Sequence, residues 1–192
     1  MKEKPFPRRE DPNARREQME EALFQMLKTT PYQQITVSKL CACVGIARKV
    51  FYRHYRDKED CLKALIENVL GKSLVYTIQN IPEWGLSQES ARVILEYWKE
   101  NRCFLDIIAR DHLLESFVAQ AQVLSLEEKD TIWQLLSRPE TPCDMDILGC
   151  YLGCHFTLVF QWHGRGFDTP VEEMARKYIR LVRCPLFYPG EE

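Results

Sequence analysis

Arginine, lysine and valine stand in succession at positions 48–50 of this 192-residue chain. Arg and Lys donate hydrogen bonds to guanine O6 and N7, and a valine methyl meets a thymine methyl. At the head of a helix, Arg48, Lys49 and Val50 therefore carry what major-groove readout needs. Tyr52, His54 and Lys58 lie just beyond them, and Thr36 stands twelve residues before Arg48. These are groups that hold phosphates, fixing register without reading sequence. The charge distribution agrees with a polyanion contact at one end. Residues 1–60 sum to +4 and residues 61–192 to −6, for a net charge of −2. Between Glu21 and Asp57 there is no acidic residue, yet Lys28, Lys39, Arg48, Lys49, Arg53 and Arg56 lie there. A solvated basic face would show the same charges, so the elements that hold them must decide.

Those elements read as helices. Met19, Ala22, Leu23, Met26 and Leu27 form an apolar stripe on a first helix from about Asn13 to Lys28, stopped by Pro31. Thr36 has the chemistry of an N-cap for a second helix, with Ile35 and Leu40 at hydrophobic-staple spacing. Gly45 ends that helix, because glycine enters the left-handed conformation at no steric cost. A third short helix starts near Ala47, which brings no capping oxygen. Two short helices around a glycine turn make a helix-turn-helix over residues 36–56, with Arg48 and Lys49 leading its second helix. Thr36, at a helix N-terminus, is placed for a phosphate.

A resemblance to a known family rests on Phe24, Ile35-Thr36-Val37, Leu40, Val44-Gly45-Ile46, Tyr52, Tyr55, Lys58 and Leu62. Residues 15–62 are similar to the DNA-binding domain of the TetR family, above all in the run Tyr52-Arg53-His54-Tyr55-Arg56-Asp57-Lys58. The resemblance implies a homodimer that binds double-stranded DNA at a near-palindromic operator. It also implies a dimer interface formed by the last two helices and a small-molecule effector pocket among the middle ones. Repression is the commoner mode among such proteins. Where the family usually has Ser or Thr, this chain has Ala47.

Beyond residue 57 the pattern stays helical, so the expected fold is all-α. A helix-turn-helix domain over 1–57 precedes a helical effector-binding and dimerisation domain over 58–192, and residues 1–12 are read as a loose arm. Asp57 and Ser87 are candidate caps, a break falls near Arg110-Asp111, and Ser125 has capping-box spacing for a helix to about Ser137. Pro139 and Pro142 mark a loop. Ile147 to Trp162 is nearly all apolar and reads as a helix buried on several sides. It is too short for a membrane span of about 20 residues, so no membrane contact is expected. Thr169-Pro170-Val171-Glu172 opens the last helix, which ends before Pro185. Candidate pocket residues are Trp98, Phe104, Phe117, Trp133, Tyr151 and His155, against the plainer reading of all of them as core. Candidate interface residues are Gly149, Gly153, Phe156, Phe160, Tyr178 and Val182, since small residues let helices approach closely.

The cysteines, Cys184 among them, read as small buried hydrophobes of a reducing, cytoplasmic protein, because no signal peptide stands at Met1. Cys41-x-Cys43 diverges on a helix, so no metal is expected, nor any cofactor. A Cys150/Cys154 thiol sensor ranks below packing, since reactive thiols need an electropositive setting. No P-loop, GxSxG or HExxH run occurs, and catalysis is not expected. The competing reading is a helical interaction or enzyme domain in which residues 36–56 are structural only. It predicts Arg48, Lys49 and Lys58 buried or neutralised by carboxylates.

Overall fold

The computed structural model describes residues 12–136 and 142–182. The arm expected over residues 1–12 lies outside them up to residue 11, as do Ser137, Pro139, Cys184 and Pro185. The described residues form ten α-helices and no strand. In order these are α1 (Pro12–Leu27), α2 (Val37–Val44), α3 (Arg48–Phe51), α4 (Lys58–Asn80), α5 (Gln88–Glu100), α6 (Arg102–Arg110), α7 (Leu114–Glu127), α8 (Lys129–Leu136), α9 (Met145–Gly164) and α10 (Val171–Val182). A single 3-10 turn, Tyr32–Gln34, precedes α2. Two compact units divide the chain; the first ends at Leu65 and the second begins at Ile66, inside α4.

The first unit is built on the α1 stripe. Met19, Leu23 and Leu27, four residues apart, are fully buried, as are Ile35, Leu40 and Phe51. Each such side chain contributes about 1.5–3 kcal/mol by leaving water. Thr36 caps α2 as expected: its Oγ1 accepts from the Lys39 amide at 3.2 Å. At the other end Gly45 adopts φ 72°. Its amide donates to Ala42 O at 3.3 Å and the Ile46 amide to Cys41 O at 3.0 Å. Those two bonds close a Schellman motif, which turns the chain sharply into α3. One buried polar tie crosses this unit. The Tyr55 hydroxyl donates to Glu20 Oε1 at 2.6 Å, and the Arg16 guanidinium lies 5.1 Å from the Tyr55 ring centre.

In the second unit α5 lies against α10, with Ala91, Leu95 and Trp98 of α5 and Met174, Ala175 and Tyr178 of α10 all buried. Ser87 caps α5 reciprocally with Ser90: each backbone amide donates to the other's hydroxyl, at 2.8 and 3.0 Å. An aromatic cluster follows, in which Phe117 stands edge-on to Trp98, Phe156 and Phe160 with centroids 4.9–5.9 Å away. The break expected near Arg110-Asp111 is the end of α6. There His112 takes φ 56° and the Leu113 amide donates to Ile108 O at 2.9 Å. This is a Schellman closure without glycine.

Three expectations need correction. Ser125 opens no helix; α7 runs through it, and its Oγ donates back to Gln122 O at 2.7 Å. A serine inside a helix turns its hydroxyl to the preceding turn instead of capping. The α9 helix is not buried on several sides: Gly149, Cys150, Gly153, Cys154, Thr157 and Gln161 are exposed along one face. Nor are the cysteines generally buried. Only Cys41 and Cys61 are buried among the described residues, while Cys43, Cys103, Cys150 and Cys154 are exposed.

Two substitutions test these ties. Tyr55→Phe removes the one donor that Tyr55 offers the buried Glu20 carboxylate, and should lower stability by about 1–3 kcal/mol in urea unfolding; a loss under about 0.5 kcal/mol would contradict the role given to this bond. His112→Gly relieves a left-handed side-chain residue and should raise stability by about 1 kcal/mol. Unfolding at an unchanged or lower midpoint would count against that strain.

Candidate functional site

Helix α3 is only four residues long, and its N-cap, Ala47, makes no side-chain cap bond. The position is held from outside instead. Gly45 sets the direction of entry, and Phe51, fully buried, anchors the far end. Arg48 and Lys49 are exposed on the opposite side and Val50 is half-buried. Arg48 reaches one turn on: its Nη2 donates to the Tyr52 hydroxyl at 3.3 Å and its guanidinium lies 5.8 Å from the Tyr52 ring centre. Tyr52 is itself about half exposed and His54 half-buried. Arg48, Lys49, Val50 and Tyr52 thus lie within one helical turn, with Thr36 exposed at the N-terminus of α2.

The basic residues of the acid-free interval divide by what they touch. Lys39 Nζ donates to Gln34 O at 2.9 Å, Lys28 lies over the Phe24 ring at 4.7 Å, and Arg56 pairs with Asp60 at 2.8 Å. The Arg56 guanidinium and amide hold the Asp60 carboxyl down at about 2. Arg48, Lys49 and Arg53 have no carboxylate partner among the described residues. Lys58 differs from its expected place at a phosphate. Its Nζ donates to the carbonyls of Tyr32 and Ile35 at 3.2 and 3.3 Å, and sits 4.2 Å from the Tyr32 ring centre. The side chain is partly buried and locks the 3-10 turn, so its charge is spent on the protein's own backbone. The spacing Tyr52…Lys58 marks this residue clearly but cannot say whether its ammonium turns outward or inward.

The second unit holds a cavity of about 80 Å³, walled by α4, α5, α7, α8 and α9. Of the six expected pocket residues, Trp98, Tyr151 and His155 line it. Phe104, Phe117 and Trp133 do not; all three are buried, and the first two pack against each other at 6.3 Å. Among the lining residues that the sequence reading did not single out, two are polar, Ser73 and Thr77. Their signal was present as two hydroxyl residues four apart in a helix, both buried. His155 Nδ1 faces the Tyr178 hydroxyl at 3.1 Å, and that hydroxyl also bonds Tyr151. Burial pushes the His155 imidazole down to about 4, so it is neutral, and the same burial, with Tyr151 beside it, drives the Tyr178 hydroxyl up.

A groove of about 530 Å³ runs between α7 and α9, and Gly149, Gly153, Phe156 and Phe160 line it. A Cβ added at Gly149 or Gly153 would meet nothing within 4 Å, so this face is open. Tyr178 and Val182 are the exceptions in the expected interface set. Both are buried within the protomer, Tyr178 in the hydrogen-bonded trio, and the exposed apolar side chain of α10 is Leu181. The α10 stripe faces α5, which is why its buried members cannot meet another surface. Phe156 is likewise largely buried, against Phe117.

Comparison with known proteins places this geometry. Residues 21–65 match the model of the bacterial regulatory proteins, tetR family. An uncharacterized HTH-type transcriptional regulator of Bacillus subtilis, YxbF, is 24% identical over 94% of this chain and 50% of its own length. The nucleoid occlusion factor SlmA of Shewanella amazonensis is 44% identical over 54 residues, which are 28% of this chain and 27% of that protein. The chain thus spans half the length or less of these curated relatives. The multidrug binding protein EbrR, solved in complex with imidazole, superposes with a TM-score of 0.62 at 16% identity, covering 88% of this chain and 94% of its own. That likeness concerns the fold alone. The helix-turn-helix built on Gly45 thus lies within the segment that matches the tetR family of bacterial regulatory proteins.

Proposed function

We propose that this protein is a sequence-specific DNA-binding transcriptional regulator, cytoplasmic and not an enzyme. It binds a near-palindromic operator as a homodimer, represses there, and is released or modulated by a small, largely apolar ligand. The observation that carries the DNA reading is the exposure of Arg48 and Lys49 at the head of α3, neither facing a carboxylate among the described residues. A merely structural helix-turn-helix calls for the reverse. Arg48 and Lys49 read bases, Val50 contacts a thymine methyl, and Thr36, Tyr52 and His54 hold phosphates. The Tyr52 ring and hydroxyl keep Arg48 extended along the helix before DNA arrives, which lowers the entropy lost on binding.

Support for a homodimer comes from the exposed α9 face. Gly149, Cys150, Gly153 and Cys154 allow close approach of a second helix, and Leu181 adds an exposed apolar side chain on α10. The cavity beside His155 supports a ligand role for the second unit.

Selection of bound duplexes from a random pool should return a near-palindromic sequence. On that duplex Arg48→Ala and Lys49→Ala should each weaken binding by about 1–3 kcal/mol, a Kd rise of roughly 5- to 150-fold. Binding unchanged by both substitutions, or no duplex binding at low salt, would overturn the reading.

A further inference from the structure

Among the described residues, the walls of the His155 cavity carry no Asp, Glu, Lys or Arg. Its polar side chains are Ser73 and Thr77 of α4, Trp98 of α5, and Tyr151 and His155 of α9; the Trp98 Nε1–H is buried with no hydrogen-bond partner among the described residues. Part of this polarity is already used. Thr77 Oγ1 donates to Ser73 O at 2.8 Å, and the Tyr151 hydroxyl is bonded to Tyr178. His155 is 5% exposed and its Nδ1 is taken by Tyr178; Nε2 has no hydrogen-bond partner among the described residues. A ring nitrogen that lines a cavity and has no protein partner is open to a ligand, which would supply its hydrogen bond.

The Tyr178 hydroxyl decides what Nε2 offers. It has one proton and sits between His155 and Tyr151. If it donates to Nδ1, the imidazole proton is on Nε2, which then donates. If it donates to Tyr151, it accepts from Nδ1–H, and Nε2 accepts. The trio can therefore meet a carbonyl or a hydroxyl without any charge being formed. The imidazole stays neutral at ordinary pH, so among the described residues a carboxylate finds no cation here, and an ammonium finds no anion. Bringing either into such a site without a counter-charge is strongly unfavourable.

We propose that the second unit's ligand is a small uncharged molecule whose single hydroxyl or carbonyl group is held by His155 Nε2, with a short apolar body packed against Trp98 and Leu152. This rests on the reading of that unit as ligand-binding. Size follows from volume. A cavity of about 150 Å³ admits benzene, so about 80 Å³ suits a body of roughly four carbons. Leu152 and Phe156 line both this cavity and the α7–α9 groove, and form the wall shared between them.

The test is a chemical-shift titration of the ¹⁵N-labelled full chain, without DNA, using 1-butanol, 2-butanone, butanoate and butylammonium. The two uncharged probes should move the Trp98 indole resonance saturably, and the two ions should bind at least tenfold more weakly. His155→Leu should weaken both uncharged probes by about 5- to 10-fold, the loss of one hydrogen bond. An ion that binds as tightly as 1-butanol overturns the proposal, as do uncharged probes that leave the resonance unmoved or that bind His155→Leu undiminished. The comparison of ions with uncharged probes needs no variant, so it decides even where His155→Leu fails to fold. DNA affinity is scored separately. Butanol that binds but leaves DNA affinity unchanged removes the effector role and keeps the ligand class; failure to bind removes the ligand class and leaves the DNA reading intact.

Discussion

The left-handed backbone of Gly45 is the constraint on which the exposed basic face of α3 depends. Helix α3 is too short to be stable by itself: a first turn costs more order than one hydrogen bond returns. It also lacks a capping oxygen at Ala47. Its direction is therefore imposed by the Schellman bonds of Gly45 and Ile46 to α2 and by the burial of Phe51. Any side chain at Gly45 would be strained at φ 72°, although the space around it is open. Arg48, Lys49 and Tyr52 inherit their exposure from that turn. The rest of the first unit serves the same end. Tyr55 ties the residues after α3 to Glu20 on α1, and Lys58 holds the 3-10 turn that delivers Thr36 to its cap.

Much of this was legible because it is local. Thr36, Gly45 and the Ile35–Leu40 pair act over three to five residues, so types and spacing alone place them. The run Tyr52 to Lys58 was equally visible, and Asp57 as a cap set Lys58 at the start of α4. Its partners, the carbonyls of Tyr32 and Ile35, lie more than twenty residues away in sequence, and no pattern shows where an ammonium goes over that distance. The same limit explains α9. Its apolar composition suggested burial all round, but glycine and cysteine are small enough to stand exposed without much apolar area. Hydropathy cannot separate a packed face from an open one made of such residues. At α10 the periodicity placed Tyr178 and Val182 on an apolar stripe, yet only the packing of α10 on α5 shows which surface that stripe meets.

The second unit sets a different problem. Its aromatic residues are spaced as core, and most of them are core: Phe117 is surrounded by Trp98, Phe156 and Phe160. What distinguishes the cavity is the polar trio of His155, Tyr178 and Tyr151, whose members come from two helices. Single aromatic residues in a sequence do not announce such a junction. His155 was visible as the main polar group of an apolar helix, and both readings of it hold together. It is a core histidine through Nδ1 and a cavity-lining one as well.

The basic residues of the first unit divide into those that bond within the fold and those left exposed, and the central proposal is that DNA takes the exposed ones. Salt dependence of duplex affinity tests it most directly, because each cation that displaces counterions adds about 0.9 to the slope of log K against log salt. Lys49→Ala should flatten the slope by about 0.9, while Lys58→Met should leave the slope unchanged and lower the unfolding midpoint. A slope flattened by Lys58→Met and untouched by Lys49→Ala would contradict it.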